Sequence, residues 1–214
     1  MRAPECLLLP AAETVRPVLC SSVCMRVIAG TYRSRPLIAP RGMATRPTSD
    51  RLRETLFNIL ASHIEGARFA DLYAGTGAVG IEALSRGAAQ VTFIESAASA
   101  VAALRANLSA LGIHGAFQLE QRSVPVALRT LARRDPHFNL VYLDPPWEDN
   151  AAYTQSLNLL AASAPALLAP EAIVIAEHAR RPSATLADTY GTLQRYRQLE
   201  QGDAALSFYR PTPD

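Results

Sequence analysis

From Ala67 onward, short apolar runs alternate with longer helix-patterned segments, and this alternation restricts the fold more than any other feature of the chain. Strands are expected at Arg68 to Tyr73, Gln90 to Glu95, Phe117 to Gln121, Asn139 to Asp144 and Ala172 to Glu177. Between them, helices are expected at Ala78 to Arg86, Ala97 to Leu111, Val124 to Arg133 and Ala151 to Ala162. A helix-length crossover carries the chain back to the end of the sheet where it started, so such strands run parallel and the helices cover both faces. The C-terminal part departs from this pattern. Gln194 to Gln201 and Ala204 to Arg210 flank the turn pair Gly202-Asp203, which predicts an antiparallel hairpin at the close of the sheet. The expected fold class is therefore α/β, a Rossmann-like doubly wound sheet, mostly parallel, with a C-terminal antiparallel hairpin.

The segment before Ala67 has another character. Val27-Ile28-Ala29-Gly30 and Arg35 to Ala39 flank Thr31-Tyr32-Arg33-Ser34, which predicts a small β-hairpin with basic residues at its turn. After a Pro40 to Pro47 loop, Thr48 or Ser49 can cap a helix with Leu52, Leu56, Ile59, Leu60 and Ile64 on one face and Arg51, Arg53, Glu54 and Asn58 off it. Met25 to Arg53 holds seven arginines against one acid, Asp50, a local charge of +6 in a chain of net +2. The chain has no lysine. Residues 1 to 24 follow no period and are expected to be a loose extension, with Met25 a candidate native start. Their three cysteines, Cys6, Cys20 and Cys24, are an odd number and suggest neither a disulfide framework nor a complete metal site. Leu7-Leu8-Leu9 stops at Pro10, and no run approaches the roughly 20 apolar residues of a membrane helix. A cytoplasmic protein without a metal is expected.

Two turns carry the chemistry. After the first strand, Asp71-Leu72-Tyr73-Ala74-Gly75-Thr76-Gly77 leads to Gly80, and the three glycines let the backbone approach a ligand at the carboxyl end of the sheet. They also spell G-x-G-x-x-G, with Glu95 placed 20 residues after Gly75 as the acid for a ribose, so a dinucleotide remains an alternative. Asp71 favours S-adenosylmethionine: a carboxylate there accepts from the methionine ammonium and would repel a pyrophosphate. Glu95 suits adenosine under either cofactor.

The second turn is Asp144-Pro145-Pro146-Trp147, directly after Leu140-Val141-Tyr142-Leu143. A rigid loop there sets the Asp144 carboxylate and the Pro145 carbonyl as two fixed acceptors, matching the two N–H bonds of an exocyclic amine on guanine or adenine. Trp147 offers a flat face for a base that is unpaired or flipped out. The arginine-rich front segment reads as phosphate contact. His63, His114, His137 and His178 have no metal or triad spacing and are expected to be structural.

Read together, these segments resemble the bacterial small-subunit ribosomal RNA guanine-N2 methyltransferases, the 16S rRNA (guanine(966)-N(2))-methyltransferase family. The resemblance covers nearly everything after residue 24. Its most specific parts begin at Arg26-Val27-Ile28-Ala29-Gly30, at Thr45-Arg46-Pro47-Thr48-Ser49-Asp50-Arg51 and at Asp71, followed by Asp144-Pro145-Pro146. It implies a class I methyltransferase fold with a basic hairpin and helix over 25–66 and a catalytic domain over 67–214. It implies S-adenosylmethionine bound by Asp71, Tyr73, Ala74, Gly75, Thr76, Gly77, Gly80, Glu95 and Ser123. It also implies an amine held at Asp144, Pro145, Pro146 and Trp147, and RNA contacted by Arg33, Arg35, Arg46 and Arg51. The implied partner is 16S rRNA within a 30S subunit or its assembly intermediate, met by a monomer. Two positions depart from the family pattern: Trp147 replaces the usual phenylalanine or tyrosine, and Arg122-Ser123 replaces an acid or amide that accepts from adenine. An adenine-N6 DNA or RNA methyltransferase is the alternative function, and a dinucleotide-binding oxidoreductase or regulatory protein a more distant one.

Overall fold

The computed structural model describes residues 25–38, 49–180 and 186–212. Arg46, Thr48 and the extension 1–24 lie outside the described residues. In chain order the elements are α1 (Asp50–Ile59), β1 (Arg68–Leu72), α2 (Ala78–Ser85), β2 (Gln90–Ile94), α3 (Ala98–Ala110), β3 (Phe117–Glu120) and α4 (Val124–Leu131). There follow β4 (Phe138–Leu143), α5 (Asn150–Ala162), α6 (Ala164–Leu167), β5 (Leu168–Ala179), β6 (Thr189–Tyr190), β7 (Leu193–Gln201) and β8 (Ala204–Pro211).

The sheet order is β3-β2-β1-β4-β5-β8-β7-β6. The first five strands pair parallel, whereas β8 runs antiparallel to β5 and β7 antiparallel to β8. This is the class I methyltransferase arrangement, with β8 of the terminal hairpin inserted beside β5. Strand order reverses between β1 and β4, so their connections diverge there and leave a crevice beyond the carboxyl ends of the strands.

Both faces are buried. Phe69, Phe93, Leu140, Tyr142 and Ile175 share one core with Leu56 and Phe57 of α1, Ile81 of α2 and Leu104 of α3. Their sequence neighbours Ala70, Ile94, Val141, Leu143 and Ala176 share the other with Leu128 of α4 and Leu157 of α5. A strand buried on both sides has no polar face to alternate, which is why these runs read as continuous apolar stretches.

Two expectations need revision. The strand expected at Ala172 to Glu177 is β5, extended by Leu168, which pairs with Phe138 across a register shift, and by His178 and Ala179, which pair with Ala205 and Ala204 of β8. The small hairpin forms as expected: across its turn the Val27 amide donates to the Arg35 carbonyl (3.0 Å), the Ser34 amide to the Val27 carbonyl (2.8 Å) and the Leu37 amide to the Met25 carbonyl (2.8 Å), with Arg26 bridging Pro36. Amides that do not pair across it dock it on α2: those of Ile28 and Ala29 donate to the two oxygens of Glu82 (2.7 and 3.0 Å), and that of Tyr32 to Ser85 Oγ (2.9 Å). Gly30 makes this docking feasible, because a Cβ there would sit 1.8 Å from the Ser85 carbonyl oxygen. Arg53, expected on the polar face of α1, is fully buried; it donates to the Arg26 carbonyl (2.5 Å) and to Asp50 (2.9 Å), with Nε 4.0 Å from buried Glu82. Glu82 is already paired with Arg86 (2.6 Å), so what draws Arg53 inward is the Arg26 carbonyl and Asp50, polar partners that a buried guanidinium needs and that helical periodicity does not show. Ser49 is the cap, accepting from the Leu52 amide.

Candidate active site

Between β1 and α2 the backbone is left-handed at Tyr73 (φ 64), Gly75 (φ 56) and Gly77 (φ 80). The glycines have different reasons to be glycine. A Cβ on Gly77 would lie 2.2 Å from Leu104 Cδ1 and one on Gly80 2.2 Å from Phe93 Cε1, so these two let α2 and α3 close on the turn and the sheet. A Cβ on Gly75 would meet nothing within 4 Å; that position faces open space. Thr76 is tied down from behind, its carbonyl accepting from Asn107 Nδ2 (3.0 Å), while the same amide group bonds both the N–H and the carbonyl of Ile38. The Ala74 amide bonds the Ile94 carbonyl (3.0 Å).

Asp71, at the end of β1, is buried and accepts from the Gly80 amide through Oδ2 (2.9 Å). Burial drives its pKa up, the Gly80 hydrogen bond opposes this and the Glu95 charge adds to it, leaving the carboxyl at about 7. Glu95 accepts from the Gly75 amide (2.9 Å) and from the Ala97 amide (2.7 Å), so both its oxygens brace backbone and each retains lone-pair capacity for a ligand hydroxyl. Beside these residues is a cavity of about 370 Å³ lined by Tyr73, Ile94, Glu95, Arg122, Ser123 and Ala152. Arg122 turns back onto Glu120 (3.0 Å) rather than across the cavity.

The second turn lies alongside the first because β1 and β4 pair in register, Leu72 against Leu143, and the Asp144 amide approaches the Leu72 carbonyl (3.5 Å). Asp144 accepts a hydrogen bond from the Trp147 indole N–H. Trp147 is half-buried and packs against the core that contains α1. Its placement thus differs from a free stacking platform: one edge is committed to holding Asp144. Pro145 is buried and Pro146 exposed. The Tyr153 hydroxyl donates to the Glu177 carbonyl (2.8 Å) and sits 3.3 Å from the Pro145 carbonyl oxygen. The pKa of Asp144 is pushed well above the usual carboxylate range by burial, then by the charges of Glu177 and Asp71, against the lowering effect of Trp147.

The arginines assigned to RNA separate on inspection. Arg33 and Arg51 are exposed. Arg35 is exposed as well, but its Nη2 donates to the Ala110 carbonyl (2.9 Å). Glu177, Tyr142, Tyr153 and Asn107 escaped the sequence reading, although for Glu177 a signal existed. Like Asp71, Glu95 and Asp144, it is the acid that ends an apolar strand run.

A protein-family model described as Conserved hypothetical protein 95 matches residues 25–210. The chain belongs to this family. Curated proteins and solved structures also resemble it over most of its length. Ribosomal RNA small subunit methyltransferase D of Escherichia coli (strain K12) is 39% identical over 153 residues, 72% of this chain and 74% of the relative. YlbH of Bacillus subtilis (strain 168) is 33% identical over 188 residues, 87% of this chain and 98% of the relative. The solved Escherichia coli protein yhhF superposes with a TM-score of 0.74 at 33% identity, covering 88% of this chain and 98% of its own. Within the matched span lie both turns and all of β1 to β7. Among the described residues no helix is long and apolar enough to cross a membrane, and no cluster of three or more His, Cys, Asp or Glu side chains is arranged to hold a metal.

Proposed function

We propose that this chain transfers a methyl group from S-adenosylmethionine to the exocyclic N2 of a guanine in 16S rRNA, acting as a cytoplasmic monomer on the 30S subunit or its assembly intermediate. The observation that carries the chemistry is the juxtaposition of Asp71 and the Gly75 turn with Asp144 and the Pro145 carbonyl at one strand-order reversal. The relatives' names and the basic front segment support ribosomal RNA as the substrate, and the resemblance in sequence supports guanine.

The residues present fit the cofactor. Gly75 faces open space, Glu95 borders a cavity of adenosine dimensions, and Asp71 is a buried carboxyl whose ionised form is stabilised by an arriving ammonium. When bound, S-adenosylmethionine would supply an electrophilic methyl group on a sulfonium sulfur, which would leave as the neutral thioether. Asp71 would hold its amino-acid end and Glu95 its ribose, and Ser123, which lines the same cavity, would border the rest of the nucleoside. Tyr73, Ala74, Thr76, Gly77 and Gly80 shape the turn. Asp144 and the Pro145 carbonyl accept the two N–H bonds of the target amine and turn its lone pair toward the methyl. Pro146 stiffens that loop, and Trp147 fixes the Asp144 carboxylate by its indole N–H while leaving its exposed part to the base. Arg33 and Arg51 meet RNA phosphates, Arg35 through whatever donors Ala110 leaves it, and Arg46 belongs to the same basic set.

Tritium transfer from labelled S-adenosylmethionine to 30S particles, naked 16S rRNA and DNA, followed by nucleoside analysis, tests this reading. N2-methylguanosine from the ribosomal substrates is expected; label in N6-methyladenine, or none in RNA, refutes it. Deleting the front segment would be uninformative, because Met25, Val27 and Leu37 are part of the core. Replacing Arg33 and Arg51 together by serine is expected to leave folding intact and to weaken RNA binding at low salt. The slope of log K against log salt should fall by roughly 1 to 2, as for one or two lost phosphate contacts. An unchanged slope removes these residues from the interface.

A further inference from the structure

β4 and β5 pair with Leu143 opposite Ala176, so Asp144 and Glu177 follow as the next residues in register. Adjacent strands are about 4.8 Å apart, and residues at matching positions point to the same face. Tyr142 and Ile175, two residues earlier, both belong to the core that contains α1, which sets Asp144 and Glu177 on that side too. Glu177 is buried and its carboxylate receives the Tyr142 hydroxyl. Its backbone carbonyl receives the Tyr153 hydroxyl, which also reaches the Pro145 carbonyl. Both expected amine acceptors, Asp144 and Pro145, are therefore backed by one residue.

We propose that Glu177 is a positioning residue that sets the proton affinity of Asp144, so that the Asp144–Glu177 pair holds the proton the amine releases on methylation. This rests on the reading of the chain as an amine methyltransferase. In the balanced step, the amine nitrogen gains the methyl through its lone pair and becomes cationic. One of its N–H bonds then breaks, its electrons return to nitrogen, and the proton passes to an Asp144 oxygen. Two carboxylates so close cannot both be ionised comfortably, so the pair binds one proton more tightly than either acid alone, in two macroscopic steps. The upward pKa shift of Asp144, in which Glu177 is the largest charge contribution after burial, agrees with this.

Other titratable groups face the pair. Asp71 comes from β1, Tyr142 from β4 and Tyr153 from α5; beyond Tyr153 lie Tyr73, whose hydroxyl bonds Ser156 (2.9 Å), and Glu148. His178 turns elsewhere, to Ser207 (3.0 Å) and the Ala179 carbonyl. Asp71 reinforces the upward shift of Asp144; Trp147 opposes it.

The test is a carboxyl ¹³C NMR titration of the full chain without RNA, with the Asp144 resonance identified by its loss in Asp144→Asn. In Glu177→Gln the Asp144 titration is expected to move to lower pH by roughly one to two units, the size of a like-charge contact at this spacing. In Glu177→Asp it should remain near its wild-type position. Tyr142→Phe, which removes the hydroxyl that favours ionised Glu177, should shift Asp144 in the same direction by less, and it serves if Glu177→Gln does not fold. The acid limb of the kcat–pH profile should follow these shifts. Asp144 titrating at the same pH in wild type, Glu177→Gln and Tyr142→Phe overturns the proposal. Because the titration needs no turnover, a wild-type chain inactive on RNA would refute the proposed function and leave this coupling to be judged on its own.

Discussion

Asp144→Ala is expected to lower methyl transfer by roughly 10³-fold or more while changing S-adenosylmethionine affinity by less than about threefold. The asymmetry follows from geometry. Asp144 lies at the end of β4, fixed by the Trp147 indole and aligned with the Pro145 carbonyl, whereas Asp71, Glu95 and the Gly75 turn are on β1, β2 and the connection after β1. Removing one fixed acceptor costs both orientation of the amine and stabilisation of the charge that develops on it, each commonly worth 10²-fold or more. Removal of a buried like charge also relieves Asp71 and Glu177, so the variant is expected to fold at least as well as the parent. Single-turnover transfer and cofactor titration by calorimetry separate the two quantities. Turnover within tenfold of wild type would remove Asp144 from the mechanism.

Asp71→Asn is expected to weaken S-adenosylmethionine binding by roughly 10- to 100-fold, the size of a charge-assisted hydrogen bond. It should also abolish the pH dependence of that binding. The sign runs through the free protein, where the Asp71 carboxyl sits at about 7. An ammonium favours the ionised form, so below pH 7 binding must expel a proton and affinity falls by up to about tenfold per unit; above pH 7 it levels off. The raised value also means that the folded chain holds this proton more tightly than the unfolded chain. Stability of the free protein therefore falls as pH rises toward 7, and bound cofactor offsets the loss. Asparagine keeps an oxygen for the Gly80 amide, so the turn is retained and the comparison isolates charge. A wild-type affinity flat between pH 5.5 and 8.5 would contradict the assignment.

Much of this arrangement was legible along the chain because it rests on local rules. Strand and helix periods located the long elements, although the first helix, expected to carry Leu60 and Ile64, ends at Ile59, and Gly202-Asp203 marked the terminal hairpin. Elements too short to show a period escaped: β6 has two residues and depends on β7 for its pairing, and α6 has four, a single turn started at Ser163. The hairpin of the front segment was legible from its alternating residues, but its docking on α2 was not. The amides left over by cross-turn pairing, those of Ile28, Ala29 and Tyr32, are received by two carboxylate oxygens of Glu82 and the Ser85 hydroxyl, more than 50 residues away, and no local pattern announces such partners.

The two motifs and their spacing along the chain were enough to state what the site is made of, since a strand that ends in an acid followed by glycines or prolines dictates its own turn. What they could not express is which strands lie side by side. The pairing of β1 with β4 brings Asp71 and Asp144 to one crevice, and that of β4 with β5 sets Glu177 behind Asp144. The electrostatics of the site follow from that adjacency, because burial and like charge at close range shift a carboxyl far more than its own sequence neighbours do. Sequence thus specified the chemical groups, and the folded sheet specified how strongly each holds its proton.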